Sequence, residues 1–196
     1  MIKYLVGVDE AGRGPLAGPV AVGMVKIPVD FDWALIPGVG DSKKLSEKTR
    51  EDLYERAKEL RYRGLLDFSV AQVGPSVIDK MGISFAINLA IARNVKRLQL
   101  NPKTCHLKLD GSLKAHYRFS QETIIKGDDK EKVIGLASVL AKVTRDKYMN
   151  KIDRKYPAYG FIENKGYGTQ LHREMIAQRG KCPIHRVSYC KNIKVL

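Results

Sequence analysis

The segment Tyr4-Leu-Val-Gly-Val8-Asp9-Glu10-Ala-Gly12-Arg13-Gly14-Pro15-Leu-Ala-Gly18-Pro19-Val20-Ala-Val-Gly-Met-Val-Lys-Ile27 decides how this chain is read. Its outer parts, residues 4–8 and 20–27, are rich in Val, Leu, Ile and Met, and glycines and prolines punctuate the interval. The segment therefore reads as strand, glycine-rich turn, strand. The first strand ends on two adjacent acids. On a regular strand their side chains point to opposite faces, so both reach one site only where the strand ends and twists, and Ala11-Gly12 begins such an irregularity.

Two further apolar stretches end in the same way, His106-Leu-Lys-Leu-Asp110 and Thr123-Ile-Ile-Lys-Gly-Asp128. An acid at the end of an apolar strand emerges at the edge of the sheet, where several such ends can meet and hold oxygen-preferring divalent cations. Four acids gathered there repel one another unless cations neutralise them. Together they point to a metal-dependent nuclease.

Working outward, Ser46 caps a helix reaching about residue 62, with Leu53, Ala57 and Leu60 on one face. Residues 65–70 read as a third strand. Val77, Met81, Phe85, Leu89, Ala92 and Val95 recur every three or four residues, the stripe of a long helix ending near Asn101-Pro102 and bent at Gly82. Residues 106–110 and 123–126 supply two more strands, and 130–153 a helix whose small residues Gly135, Ala137, Ser138 and Ala141 let it sit close to the sheet. A glycine-rich segment, 160–168, precedes a short helix over 169–179 and a basic tail.

The order β, β, α, β, α, β, β, α implies an α/β layer fold, a mixed five-stranded sheet flanked by helices with a helical C-terminal extension. Residues 1–196 are expected to form one domain, a size that suits a single core. No stretch approaches the roughly 20 apolar residues of a membrane span, and the N-terminus lacks a signal pattern, so a cytoplasmic protein is expected. Cys105, Cys182 and Cys190 are an odd set that suits free thiols. Cys182, His185 and Cys190 have no fourth ligand at finger-like spacing, which disfavours structural zinc.

Lys and Arg number 35 against 21 Asp and Glu, a balance of +14. A polyanionic partner follows, and nucleic acid fits better than membrane. The excess is uneven: residues 141–196 hold 13 basic residues against 4 acids, or +9, and residues 1–140 the remaining +5. The C-terminal quarter is the stronger electrostatic footprint. A non-catalytic nucleic-acid-binding module would share this charge, but four acids at three strand ends would weaken its hold on a polyanion.

The run from Gly7 to Val20 resembles the N-terminal signature of type 2 ribonuclease H, the ribonuclease HII family. The resemblance continues in Asp41-Ser42-Lys43-Lys44-Leu45, in Leu109-Asp110-Gly111, and in Lys126-Gly127-Asp128 followed by Ala137-Ser-Val-Leu-Ala-Lys-Val-Thr-Arg-Asp146. Lys165-Gly166-Tyr167-Gly168-Thr169 with His172, and then His185-Arg186, complete it. Nearly the whole chain is covered.

The resemblance implies a ribonuclease H-like fold with Asp9, Glu10, Asp110 and Asp128 as catalytic carboxylates and ligands of two Mg2+ or Mn2+ ions. Asp129 and Asp146 are nearby competitors, and the family pattern favours the acid directly after Lys-Gly. Gly12, Arg13 and Gly14 are implied to contact the 2'-hydroxyl that separates RNA from DNA, Tyr167 to stack at an RNA–DNA junction, and Lys43 to hold a phosphate. Lys142 and Arg145, three apart on one helix, could add phosphate contacts. Residues 155–196 are expected to act as a substrate-binding extension. His172 and His185 read as structural or substrate-side groups.

The implied substrates are RNA·DNA hybrid and ribonucleotide-containing duplex DNA, cut 5' of the ribonucleotide to leave 3'-hydroxyl and 5'-phosphate ends. The implied role is removal of misincorporated ribonucleotides. Type 3 ribonuclease H is a weaker match, because it carries a substrate-binding domain before its catalytic motif whereas Asp9 stands almost at the start here. A monomer is the family expectation, and the ending Lys191-Asn-Ile-Lys-Val-Leu196 lacks the paired aromatics of a usual sliding-clamp peptide.

Overall fold

A computed structural model describes residues 1–40, 42 and 44–194. Its strands β1 (Tyr4–Ala11), β2 (Val20–Pro28), β3 (Asp67–Val73), β4 (Cys105–Asp110) and β5 (Ser120–Ile124) form one sheet in the order β3-β2-β1-β4-β5. β1 and β2 are antiparallel, as are β2 and β3, while β4 runs parallel to both β1 and β5. The sheet is mixed and five-stranded, as the pattern predicts.

The helices are α1 (Glu47–Tyr62), α2 (Pro75–Met81), α3 (Ile83–Arg97), α4 (Gly127–Lys130), α5 (Lys132–Asp153), α6 (Phe161–Asn164) and α7 (Gln170–Arg179). Both faces of the sheet are covered. On one, Val6, Val8, Val22, Met24, Leu107 and Leu109 pack with Ala86, Ile87, Ala90 and Ile91 of α3. On the other, Val25 and Ile27 pack with Leu53, Ala57 and Leu60 of α1 and with Val133, Leu136, Ala137 and Leu140 of α5. Each fully buried Val, Leu or Ile contributes about 1.5–3 kcal/mol.

α5 lies directly on β1 because Gly7 has no side chain: a Cβ there would stand 2.1 Å from the Val133 carbonyl oxygen. Close seating therefore depends on a sheet glycine as well as on the small residues of the helix. A third cluster joins Leu16 and Ala17 of the glycine-rich turn to Met149 of α5, Tyr159, Phe161, Ile176, Ile184 and Cys190. It welds the C-terminal region to the turn after β1. Among the described residues no helix is long and apolar enough to cross a membrane.

Several boundaries differ from the sequence reading. The expected long helix is two, because Gly82 takes φ +83 and ψ 161 and caps the end of α2 and the start of α3. β3 begins at Asp67 because Leu66 is spent in the core after α1. β5 is displaced toward Ser120 by its register with β4, where Asp110 pairs with Ile124. Lys126 then takes a left-handed conformation, φ 55, and opens α4, an element the sequence does not announce.

Candidate active site

Asp9 and Asp110 are neighbours because of strand register. Val8 pairs with Leu109 at the last rung of the β1–β4 ladder, so Asp9 and Asp110 are the next residues out on neighbouring parallel strands. β1 itself continues, paired with β2 as far as Ala11 and Ala21. It therefore does not end at the acids; only its β4 edge opens there. Asp110 Oδ1 accepts the backbone N–H of Gly127 at 2.6 Å, which ties β4 to the first turn of α4. Asp128, next on α4, is buried at 6% exposure, whereas Asp129 is at the surface with Lys44 2.7 Å away.

Burial pushes the Asp9 carboxyl up to about 8, and the charges of Glu10 and Asp110 push in the same direction. A hydrogen bond from Ser138 and the 2.7 Å bond from the Glu10 N–H oppose them. Burial also raises Glu10; Arg13, 3.1 Å away, pulls it back, and Asp110 adds to the rise. Two buried carboxyls raised in this way, with Asp110 beside them and Arg13 balancing only Glu10, are a hard, all-oxygen donor set, and divalent cations of the Mg2+ or Mn2+ type fit that chemistry. Among the described residues no three His, Cys, Asp or Glu side chains are already drawn into a metal cage.

Beside the acids lies a cleft of about 230 Å³ lined by Asp9, Glu10, residues 11–14, Ser42, Ser138, Lys142 and Tyr167. Gly12 has φ +87, and a Cβ on it would come within 2.0 Å of Arg145 Nε, so the turn is closed on that side. Gly14 is open, with nothing within 4 Å of an added Cβ. A ligand can reach the backbone there. Tyr167, 45% exposed, faces the same cleft and lies 5.8 Å from the Arg145 guanidinium, in cation–π range.

Lys142 lines the cleft and pairs with Asp146 at 2.9 Å. Asp146 is thereby committed to a lysine one helical turn away. Arg145 departs from expectation: it is fully buried, with Nε donating to the Pro19 carbonyl at 2.9 Å and Nη2 to that of Ala17 at 3.1 Å. A phosphate contact is corrected to a supporting role, because the i+3 spacing from Lys142 carries Arg145 under the glycine-rich turn. Lys43 lies outside the described residues.

Three features escape sequence reasoning. Ser138, which reads as a small packing residue, bonds Asp9 and sits 2.8 Å from the Ser42 hydroxyl. Arg186, fully buried, holds the carbonyls of Gly12, Arg13 and Gly18. His172 and His185 touch each other through their Nε2 atoms at 3.0 Å. For both histidines the signal was present, in their nearness to Tyr167 and Arg186, but sequence does not reveal that they meet.

The ribonuclease HII family model matches residues 6–192. A ribonuclease HII of Endomicrobium trichonymphae is 46% identical over 186 residues, 94% of this chain and 84% of the relative. The ribonuclease H2 of Pyrococcus horikoshii superposes with a TM-score of 0.76 at 26% identity, covering 97% of both chains. A chain from the PCNA:RNase HII complex of Archaeoglobus fulgidus gives 0.73 at 26% identity, covering 96% of this chain and 94% of that one.

Proposed function

This chain belongs to the ribonuclease HII family, the type 2 ribonuclease H endoribonucleases, and from that premise we propose that it hydrolyses the RNA strand of RNA·DNA hybrids and cuts 5' of single ribonucleotides embedded in duplex DNA. Its role is then removal of misincorporated ribonucleotides. The observation that carries this reading is the single register step that sets Asp9 and Asp110 side by side, next to Glu10 and a glycine turn whose backbone is open at Gly14.

Asp9, Glu10, Asp110 and Asp128 would hold the cations. Two divalent ions, Mg2+ or Mn2+, supply when bound the charge that activates an attacking water and stabilises the leaving 3'-oxygen. Burial and its acidic neighbours raise the Asp9 carboxyl, and bound cations would favour its ionised form, while the hydrogen bond from Ser138 keeps that carboxyl oriented. Arg13 is 49% exposed and leaves Glu10 to meet the substrate backbone.

Gly12, Arg13 and Gly14 read the 2'-hydroxyl, and the face of Tyr167 stacks where ribonucleotide gives way to DNA. Lys142, and by resemblance Lys43, hold phosphates beside the bond to be cut. The C-terminal region 155–196 forms the substrate-binding part of the same single domain. A duplex carrying one ribonucleotide, incubated with Mg2+ or Mn2+ and in parallel with chelator, tests the reading. Nicking that chelator stops supports it, and tight binding without nicking overturns it.

A further inference from the structure

Residues 184–186 run against the glycine-rich turn. Gly18 N–H donates to the Ile184 carbonyl at 2.8 Å and Arg186 N–H to that of Leu16 at 2.7 Å, with Ala17 and His185 paired between them. From this seat the Arg186 guanidinium grips the turn at three points: Nη2 to Gly12 O at 2.6 Å, Nη1 to Arg13 O at 2.8 Å and Nε to Gly18 O at 3.0 Å. A planar fork with five donors can hold several carbonyls in fixed relation, which a lysine cannot. Two of the three gripped carbonyls, those of Gly12 and Arg13, belong to residues that line the cleft.

The preceding residue reaches the other side of the cleft. His185 Nδ1 accepts the Cys182 N–H at 2.9 Å, so its proton sits on Nε2 and is donated to His172 Nε2 at 3.0 Å. His172 then carries its proton on Nδ1 and donates to the Tyr167 carbonyl at 2.8 Å. All four ring nitrogens are satisfied in one pair of neutral tautomers, and both rings are buried, at 2% and 0% exposure. Asp79 of α2 fixes the segment from behind, accepting the N–H groups of Val187 and Ser188 at 2.8 and 2.9 Å.

We propose that His185 and Arg186 are positioning residues that set the two substrate-reading groups of the site relative to each other, Arg186 holding the turn of residues 12–14 and His185, through His172, holding Tyr167. The proposal rests on the reading of that turn and of Tyr167 as substrate-facing. Adjacent in the chain, the two residues make one rigid link between the 2'-hydroxyl reader and the junction reader. Neither touches the reacting atoms.

The test is steady-state kinetics of the full chain on a duplex with one ribonucleotide and on a long RNA·DNA hybrid. His185→Asn keeps an acceptor for the Cys182 N–H but removes the donor to His172; His185→Gln places an N–H near the lost Nε2. We expect His185→Asn to lower kcat on the one-ribonucleotide duplex about tenfold, with KM and the long-hybrid kcat changed less than about threefold, and His185→Gln to restore most of it. Arg186→Lys, which retains charge and at most one of the three contacts, should lower kcat about tenfold on both substrates with KM nearly unchanged.

Equal loss on both substrates for His185→Asn, no rescue by His185→Gln, or wild-type kcat in Arg186→Lys overturns the proposal. Should Arg186→Lys be unfolded at the assay temperature, the His185 pair decides alone. Wild-type protein that nicks neither substrate removes the reading of the site, and the proposal with it; wild-type protein that nicks both, with unaltered variants, removes the positioning roles only.

Discussion

Asp9 stands beside Asp110 because both lie one step beyond Val8 and Leu109, the last paired residues of two parallel strands. Main-chain pairing brings the two acids together before any side chain chooses a rotamer. Glu10 and Arg13 add the next layer of charge.

Asp9→Asn should reduce turnover about a thousandfold or more while leaving affinity for the duplex within a few-fold, measured by cleavage and by binding in parallel. The same change should stabilise the metal-free protein at alkaline pH. The Asp9 carboxyl titrates near 3.8 ordinarily and at about 8 when folded, so between those values the folded state keeps a proton that the unfolded state has released. Its stabilising effect is full below 3.8 and lost as pH rises through 8. A higher Tm for Asp9→Asn than for wild type at pH 8 in chelator checks the sign.

Asp128 and Asp129 separate by burial. Asp128→Asn should cost activity on the scale of Asp9→Asn, because it removes a buried carboxylate from the helix that anchors Asp110. Asp129→Asn, which breaks a surface pair with Lys44, should change stability by only about 0–1 kcal/mol and kcat by less than about threefold. Equal effects of the two would reassign the fourth ligand.

Gly12→Ala and Gly14→Ala should fail in different ways. The first drives a methyl into the buried Arg145 side chain at a φ of +87, and should lower both Tm and activity. The second meets open space, so its Tm should stay within about 2 °C of wild type while KM or kcat suffers from the methyl facing the substrate. Thermal melts beside kinetics tell these apart.

Acid should loosen the C-terminal region. His185, buried and beside His172, is held down to about 4 against an ordinary 6.5. As pH falls below 6.5 the unfolded state takes up the proton first, so this stability is full above 6.5 and lost as pH drops through 4. A Tm profile from pH 7 to 4 should slope downward in wild type and be flatter in His185→Asn.

The strand, turn and helix periods of the sequence made the layer fold legible, and the repeated ending of apolar runs on acids put forward Asp9, Glu10, Asp110 and Asp128 as candidates, of which strand register sets Asp9 beside Asp110 and α4 carries Asp128. The helix break at Gly82 was visible only as a bend, because a glycine in a helical stripe does not declare its φ. The burial of Arg145 is hidden from the sequence for a comparable reason. Helical spacing places it near Lys142 but does not show that the turn after β1 folds over it. Contacts between segments far apart in the chain, such as Arg186 with Gly12 or Ser138 with Asp9, have no local signature at all.

The most direct test is to map, at nucleotide resolution, the cut made in a duplex with one embedded ribonucleotide by wild-type protein and by Asp9→Asn, with Mg2+ or Mn2+ and with chelator. The account predicts one wild-type nick on the 5' side of the ribonucleotide, leaving 3'-hydroxyl and 5'-phosphate ends, lost in chelator and in Asp9→Asn. A nick elsewhere, or one that survives chelator or the loss of Asp9, would contradict it.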